Sequence, residues 1–225
     1  MVMTFFRRGD GENSLDQITA RTVSMVSDAR HSFDLASTAL LSGANVEIVG
    51  EDVRQTDERI NEAEQDLRGQ LVVHVSVQGS GDIGEVLGLI LLIKKIERIG
   101  DQNKNILYLA EDGADLSEAH DLETLVEYRR TISEMLGQAA DVIAAGDEDG
   151  AASLRERSNA LQVELQDHIR ELMHSDEPGR EVVPRAILYR YWKRIVANIA
   201  GVVTTATEPL QHQGYEEDGT VDIDD

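Results

Sequence analysis

The sequence predicts an all-α protein built as two tandem three-helix bundles, six long antiparallel helices in all. Three observations carry this expectation. Apolar side chains recur every third or fourth residue through most of the 225-residue chain, the spacing that places them on one face of a helix. The periodic stretches are long and their links are short and glycine-containing, which folds each helix back beside the one before it. Short segments of the first half also reappear at corresponding places in the second, the mark of an internal repeat. Composition agrees: aromatics make up only 4% and prolines number three, thin for a β-sandwich or barrel.

The elements follow in order. Ser14 with Gln17 three residues on is a capping-box pattern that predicts the first helix start. Its stripe is Leu15, Ile18, Thr22, Met25, Ala29, Phe33, Ala36 and Leu40, stopped by Ser42-Gly43. A second stripe holds Val46, Val49, Val53, Ile60, Ala63, Leu67, Leu71 and His74 and ends near Gly79 and Gly81. A third starts near Asp82 and carries Ile83, Val86, Ile90, Ile93, Ile96, Ile99, Ile106 and Leu109 before Gly113. A fourth uses Leu122, Leu125, Ile132, Leu136 and Val142 and closes at Gly146, after which Asp147 to Gly150 reads as a turn. Leu154, Leu161, Leu165, Ile169 and Leu172 mark the fifth. After Glu177-Pro178-Gly179 comes the sixth, with Ile187, Tyr191, Ile195, Ile199 and Val202; Pro184 is expected in its first turn, where a missing N–H costs nothing. The repeat sets Ile96-Glu97-Arg98-Ile99 against Trp192-Lys193-Arg194-Ile195, and Glu58-Arg59 with Asn61 against Glu156-Arg157 with Asn159. The expected division is a first bundle over 12–113, a second over 114–210, and an acidic disordered tail over 211–225.

Charge narrows the function. The chain holds 43 acidic and 21 basic residues, a net charge of −22, and only Lys94, Lys95, Lys104 and Lys193 are lysines. High acid with little lysine fits a salt-rich, halophilic cytosol in which ions screen self-repulsion, or simply an acidic mesophilic protein. It opposes direct nucleic-acid binding, which needs basic surface to displace counterions. There are no cysteines, which excludes disulfides, thiolate metal sites and thiol nucleophiles. No stretch approaches the roughly 20 apolar residues of a membrane span, and no apolar core follows Arg7-Arg8 as a signal peptide requires. A soluble, cytoplasmic protein is expected.

The chemistry concentrates in Lys94-Lys95-Ile96-Glu97-Arg98-Ile99-Gly100-Asp101-Gln102-Asn103-Lys104-Asn105. Glu97 and Asp101 stand one helical turn apart, a like-charge pair that destabilises a helix unless a cation sits between them. Lys94, Lys104 or an arginine from a neighbouring helix can supply that cation. A metal ion can too: hard carboxylate oxygens suit magnesium, manganese, calcium or iron, and Gly100 lets a neighbour approach closely. On the second helix Asp57, Asn61 and Glu64 share a face, and Asp57 is the favoured third ligand.

The run Ile-Glu-Arg-Ile-Gly-Asp-Gln at 96–102, with Asn105-Ile106 after it, resembles the signature helix of the PhoU family of phosphate-uptake regulators. In that family a Glu-x-x-x-Asp pair is repeated in two three-helix bundles and binds metal ions. Asp57-Glu58 to Asn61 resembles the family's second-helix acidic motif. Asp82 stands where the family has an Asp-Leu-Arg turn, here with Ile83-Gly84 instead, and Arg190 to Ile195 resembles the second copy. The resemblance extends over most of residues 12–210. It implies metal ligands Glu97, Asp101 and Asp57, with iron, zinc, manganese or magnesium as the ion. It further implies a cytoplasmic regulator of phosphate homeostasis, docked peripherally on a membrane phosphate transporter or sensor kinase and paired as a homodimer. In the second copy Lys193 replaces the glutamate and Ala197 the aspartate, while Arg155 stands opposite Asp57 and Ser158 near an expected acid. No metal is expected there, because an ammonium repels one and can fill its place.

Two further spacings carry little. Glu171 and His174 have the spacing of di-iron bundles, which need a second such motif on a facing helix; they read as a helix end. Asp147 to Gly150 lacks the ligands of a calcium loop. His31, His74, His120, His168 and His212 show no ligand spacing, and there is no phosphate cradle, nucleophile elbow or kinase motif. The chain is therefore not expected to be an enzyme. The competing readings are a carboxylate-bundle metalloprotein, for storage or di-metal catalysis, and a structural helical adaptor whose Glu97 and Asp101 are satisfied by Lys94 and Lys104.

Overall fold

The computed structural model describes residues 12–79, 81 and 83–208, and all its regular structure is helical. Six helices follow one another: α1 (Glu12–Ser42), α2 (Val46–Gln78), α3 (Ile83–Glu111), α4 (Leu122–Ala145), α5 (Glu148–Met173) and α6 (Gly179–Thr207). The predicted α1 stripe is the buried one, with Ile18, Met25, Ala29, Phe33, Ala36 and Leu40 all out of water. In α2 the Asn45 carboxamide oxygen accepts from the backbone N–H of Glu47 (2.9 Å) and Ile48 (3.4 Å), satisfying donors that helix geometry leaves open. Gly146 ends α4 at φ 63°, a left-handed conformation that glycine adopts without a Cβ clash.

The helices form two three-helix bundles, α1–α3 and α4–α6, set side by side. Helix α1 packs on α4 and α3 on α6, so α1, α3, α6 and α4 make a closed ring with α2 and α5 outside. All six helices contribute to one continuous apolar core. At each seam a glycine makes room for a cation. A Cβ on Gly137 would meet the Arg30 guanidinium at 2.7 Å, and one on Gly201 would meet the Lys95 ammonium at 2.5 Å. Arg30 donates to the Ser133 hydroxyl (3.0 Å), which in turn donates to Asp34 (3.0 Å).

Several boundaries differ from expectation. Helix α1 is described from Glu12, so Ser14 lies inside its first turn. Asp147 to Gly150 is no free turn: Asp147 caps α5, accepting from the Gly150 N–H at 3.0 Å, and Glu148 onward is helical. Helix α6 starts at Gly179, which puts Pro184 in its second turn, where the ring leaves the Arg180 carbonyl without its usual helical donor. Ile83, assigned to the α3 core stripe, is exposed. Asp82 and the acidic tail over 211–225 lie outside the described residues. No described helix is long and apolar enough to cross a membrane.

Candidate functional site

Helices α2 and α3 meet tightly where Gly100 faces α2. A Cβ there would stand 3.3 Å from Ile60 Cδ1 and 3.7 Å from Asp57 Oδ1. The close approach brings four carboxylates to the seam: Asp57 and Glu64 from α2, Glu97 and Asp101 from α3. They sort into two pairs, each bridged by a lysine. Lys104 Nζ lies 2.7 Å from Asp57 Oδ2 and 3.5 Å from Asp101 Oδ1. Lys94 Nζ lies 2.7 Å from Glu97 Oε2 and 3.7 Å from Glu64 Oε1, and Arg68 reaches the same Glu64 oxygen at 2.8 Å. Asn61 donates to Asp57 at 3.3 Å.

Electrostatics hold both lysines charged. For Lys104, burial favours the neutral amine, but the hydrogen bond to Asp57 and the charges of Asp57 and Asp101 outweigh it and raise its pKa above the usual lysine value. For Lys94 the hydrogen bond to Glu97 is the largest cause of the same upward shift, against a smaller effect of burial. A group whose folded pKa is raised contributes stability below its unfolded pKa and loses it as pH climbs through the folded one. Both lysines therefore stay charged across the neutral range and lose their protons only in alkali above the ordinary lysine range.

The donor chemistry at this seam suits a hard cation, yet the residues do not fit one as they stand. Asp57 and Asp101 converge on Lys104, whereas Glu97 turns to Lys94, so the three nominated ligands share no centre. Among the described residues no three His, Asp or Glu side chains are grouped to hold a metal ion. The charge that Glu97 and Asp101 require is supplied within the chain.

Comparison with known proteins shows what this seam is similar to. Residues 22–110, spanning nearly all of α1 to α3, match the PhoU domain model. Over this span the chain is similar to a PhoU domain. The whole fold also superimposes on the crystal structure of PhoU from Pseudomonas aeruginosa with a TM-score of 0.77, over 88% of this chain and 97% of that one, at 19% identity. No curated protein matches the sequence.

The second bundle repeats the register of the first with different chemistry. Ile96 and Trp192 are both fully buried, as are Ile99 and Ile195, while Arg98 and Arg194 are both exposed. At the position of Glu97 stands Lys193, 6% exposed, whose ammonium donates to Gln166 Oε1 at 2.8 Å. Arg155, opposite Asp57 in the repeat, pairs with Glu208. His174 caps α5, its N–H donating to the Glu171 carbonyl at 3.1 Å, as a helix end should.

Two features outside that span escape sequence reasoning. Arg185, 2% exposed, joins Asp121 (3.3 Å) and Glu177 while its Nε donates to the Glu181 carbonyl (2.9 Å). This hub ties α6 to the α3–α4 and α5–α6 loops. Tyr128, His168, Tyr189 and Trp192 form a ring cluster across α4, α5 and α6. His168 stacks on Tyr189 at 5.0 Å, and the Tyr128 hydroxyl and His168 Nε2 are hydrogen-bonded at 2.9 Å. The two acids come from separate loops and the rings from three helices, at unrelated sequence distances, so no local spacing announces either feature.

Proposed function

We propose that this protein regulates phosphate homeostasis from the cytoplasm, by docking to a membrane phosphate transporter or its sensor kinase. The observation that carries the reading is the match to the PhoU domain over 22–110, with Glu97 and Asp101 in its third helix. Docking suits the chemistry of the α2–α3 face, where acids and lysines are paired into a fixed pattern of charge and no nucleophile or acid–base set is assembled. In this reading Lys94 and Lys104 do the work of a bound cation and keep that face in shape without a metal.

Deleting the gene and following phosphate uptake together with a phosphate-starvation reporter tests it. Derepressed uptake and a reporter active in phosphate-rich medium are expected, both reversed by the wild-type gene. Unchanged responses would leave the helical-adaptor reading, which the lysine pairing also favours. The charge of −22 adds a second expectation: molar KCl raises the melting temperature by screening self-repulsion, and a flat or falling response would oppose the salt-rich cytosol.

A further inference from the structure

Helices α4 and α5 are joined far less closely than their counterparts in the first bundle. There α2 packs evenly on α1 and α3, whereas α5 packs on α6 and barely on α4. The result is an open groove of about 700 Å³ between α4 and α5. Its floor is apolar: Met135 and Leu161 are buried beneath it, and the half-buried Tyr128 ring extends it. Short side chains, Thr131 and Ala160, leave the space above that floor unfilled. Glu123, Glu127 and Glu164 stand exposed along the rim. Arg157 also lines the groove, but its guanidinium is turned to the Gln138 carboxamide oxygen at 2.8 Å.

The lining fixes the shape of the occupant. On α4 it runs from Glu123 to Met135, about 18 Å along the axis, at intervals that keep it on one helix face. Its rim is exposed, so a small cation would stay largely in water, where an ion pair is worth little. A helix of about three turns instead fills the length, with apolar residues on the floor and charges on the rim. Charge decides the rest. Three rim acids beside an engaged arginine favour a basic face. A second copy of this chain, at a net charge of −22, brings acid to acid. Cytoplasmic segments beside a membrane span carry an excess of lysine and arginine. We infer that the α4–α5 groove receives a basic amphipathic helix from the cytoplasmic side of a membrane partner. Its apolar residues lie over Met135, Leu161 and Tyr128, and its cations meet Glu123, Glu127 and Glu164. The inference rests on the regulatory reading for the place of the partner, and gives that partner a surface separate from the α2–α3 acids.

Two labelled peptides of about fourteen residues test it against the full chain by fluorescence anisotropy, in low and in molar KCl. One is a leucine–lysine peptide patterned for a single apolar helix face, the other the same peptide with serine for leucine. The leucine peptide should bind at micromolar concentration and keep measurable affinity in molar KCl, where the rim is screened and the floor still holds it. Ala160→Trp, which fills the groove from an exposed position, and Glu123→Lys/Glu164→Lys, which reverses its rim, should each weaken binding about tenfold or more with helicity unchanged. Equal binding of the serine peptide, or indifference to both variants, shows only attraction to an acidic surface and overturns the proposal. A dimer in sedimentation that Ala160→Trp abolishes assigns the groove to a second copy and overturns it too. In the deletion strain Ala160→Trp should leave the phosphate-starvation reporter derepressed. Full repression by this variant overturns the proposal while the regulatory reading stands. A deletion without phenotype sinks that reading, and peptide binding then decides the groove by itself.

Discussion

A Trp192→Ala variant is expected to unfold with about 4 kcal/mol less free energy and to melt about 10 °C below the wild type. Trp192 is fully buried where α6 faces the rest of the second bundle, and it meets Tyr189 edge-on with ring centroids 5.9 Å apart. Deleting the indole leaves a cavity that neighbouring rings, themselves held by the Tyr128–His168 bond, are poorly placed to fill. The indole N–H has no hydrogen-bond partner among the described residues, so it adds nothing by polarity. A Trp192→Phe variant should therefore lie within about 1 kcal/mol of the wild type, because lost volume is offset by removal of a buried, unsatisfied donor. Calorimetric melts of the two variants separate these effects. A Phe variant as unstable as the Ala variant would show that the indole nitrogen matters after all.

Arg185→Leu is the second large loss, about 2 kcal/mol, at the low end for a broken buried ion pair because Asp121 and Glu177 keep some contact with water. The guanidinium is itself almost fully buried, and its removal leaves both acids facing apolar surface. The effect also has a pH signature. Partial burial pushes the Glu177 carboxyl up, but hydrogen bonding and charge from Arg185 more than reverse it and hold its pKa below the usual value. A lowered folded pKa gives stability that is present above the ordinary carboxylate pKa and lost as pH falls through the folded value. The gap in melting temperature between wild type and Arg185→Leu should accordingly be widest near neutrality and narrow in acid below the carboxylate range. A gap independent of pH would mean that Arg185 acts only by packing.

These two sites mark what periodicity leaves out. The α1 stripe from Ile18 to Leu40 was legible because each position repeats the same burial, and the glycines at 43, 79, 113 and 146 all adopt positive φ where the stripes stop. The seam at Gly100 was legible too: a glycine between two acids on one helix face announces a close neighbour. Which cation would lie there was not legible, because Glu97 and Asp101 look alike in sequence but face different lysines. Glu97 is drawn with Glu64 to Lys94, and Asp101 with Asp57 to Lys104, a division set by how α2 crosses α3. Arg185 binds acids from two separate loops, and a long-range hub of that kind has no spacing to read. The exposure of Ile83 was missed for a related reason, since a helix that overhangs its neighbours keeps its apolar period with nothing to bury it.

The use of lysine connects these observations. All four lysines of the chain lie on α3 and α6: two clamp the α2–α3 carboxylates, one crosses Gly201 at the seam between bundles, and one replaces the glutamate of the second copy. Elsewhere the positive charge is arginine. The ammonium is a compact charge on a flexible stem, so it can turn toward either of two neighbouring acids.

Thermal melting of the full chain with EDTA, then with magnesium, manganese, zinc or iron, asks directly whether lysines or metal ions hold the α2–α3 acids. The wild type should melt within about a degree under every condition, since a ligand without a site gives no mass-action stabilisation. Lys94→Gln/Lys104→Gln should melt lower in EDTA and recover part of the loss when a divalent ion is added. A saturable rise of several degrees in the wild type, abolished by Asp101→Ala, would contradict the lysine clamp and restore a metal to the seam.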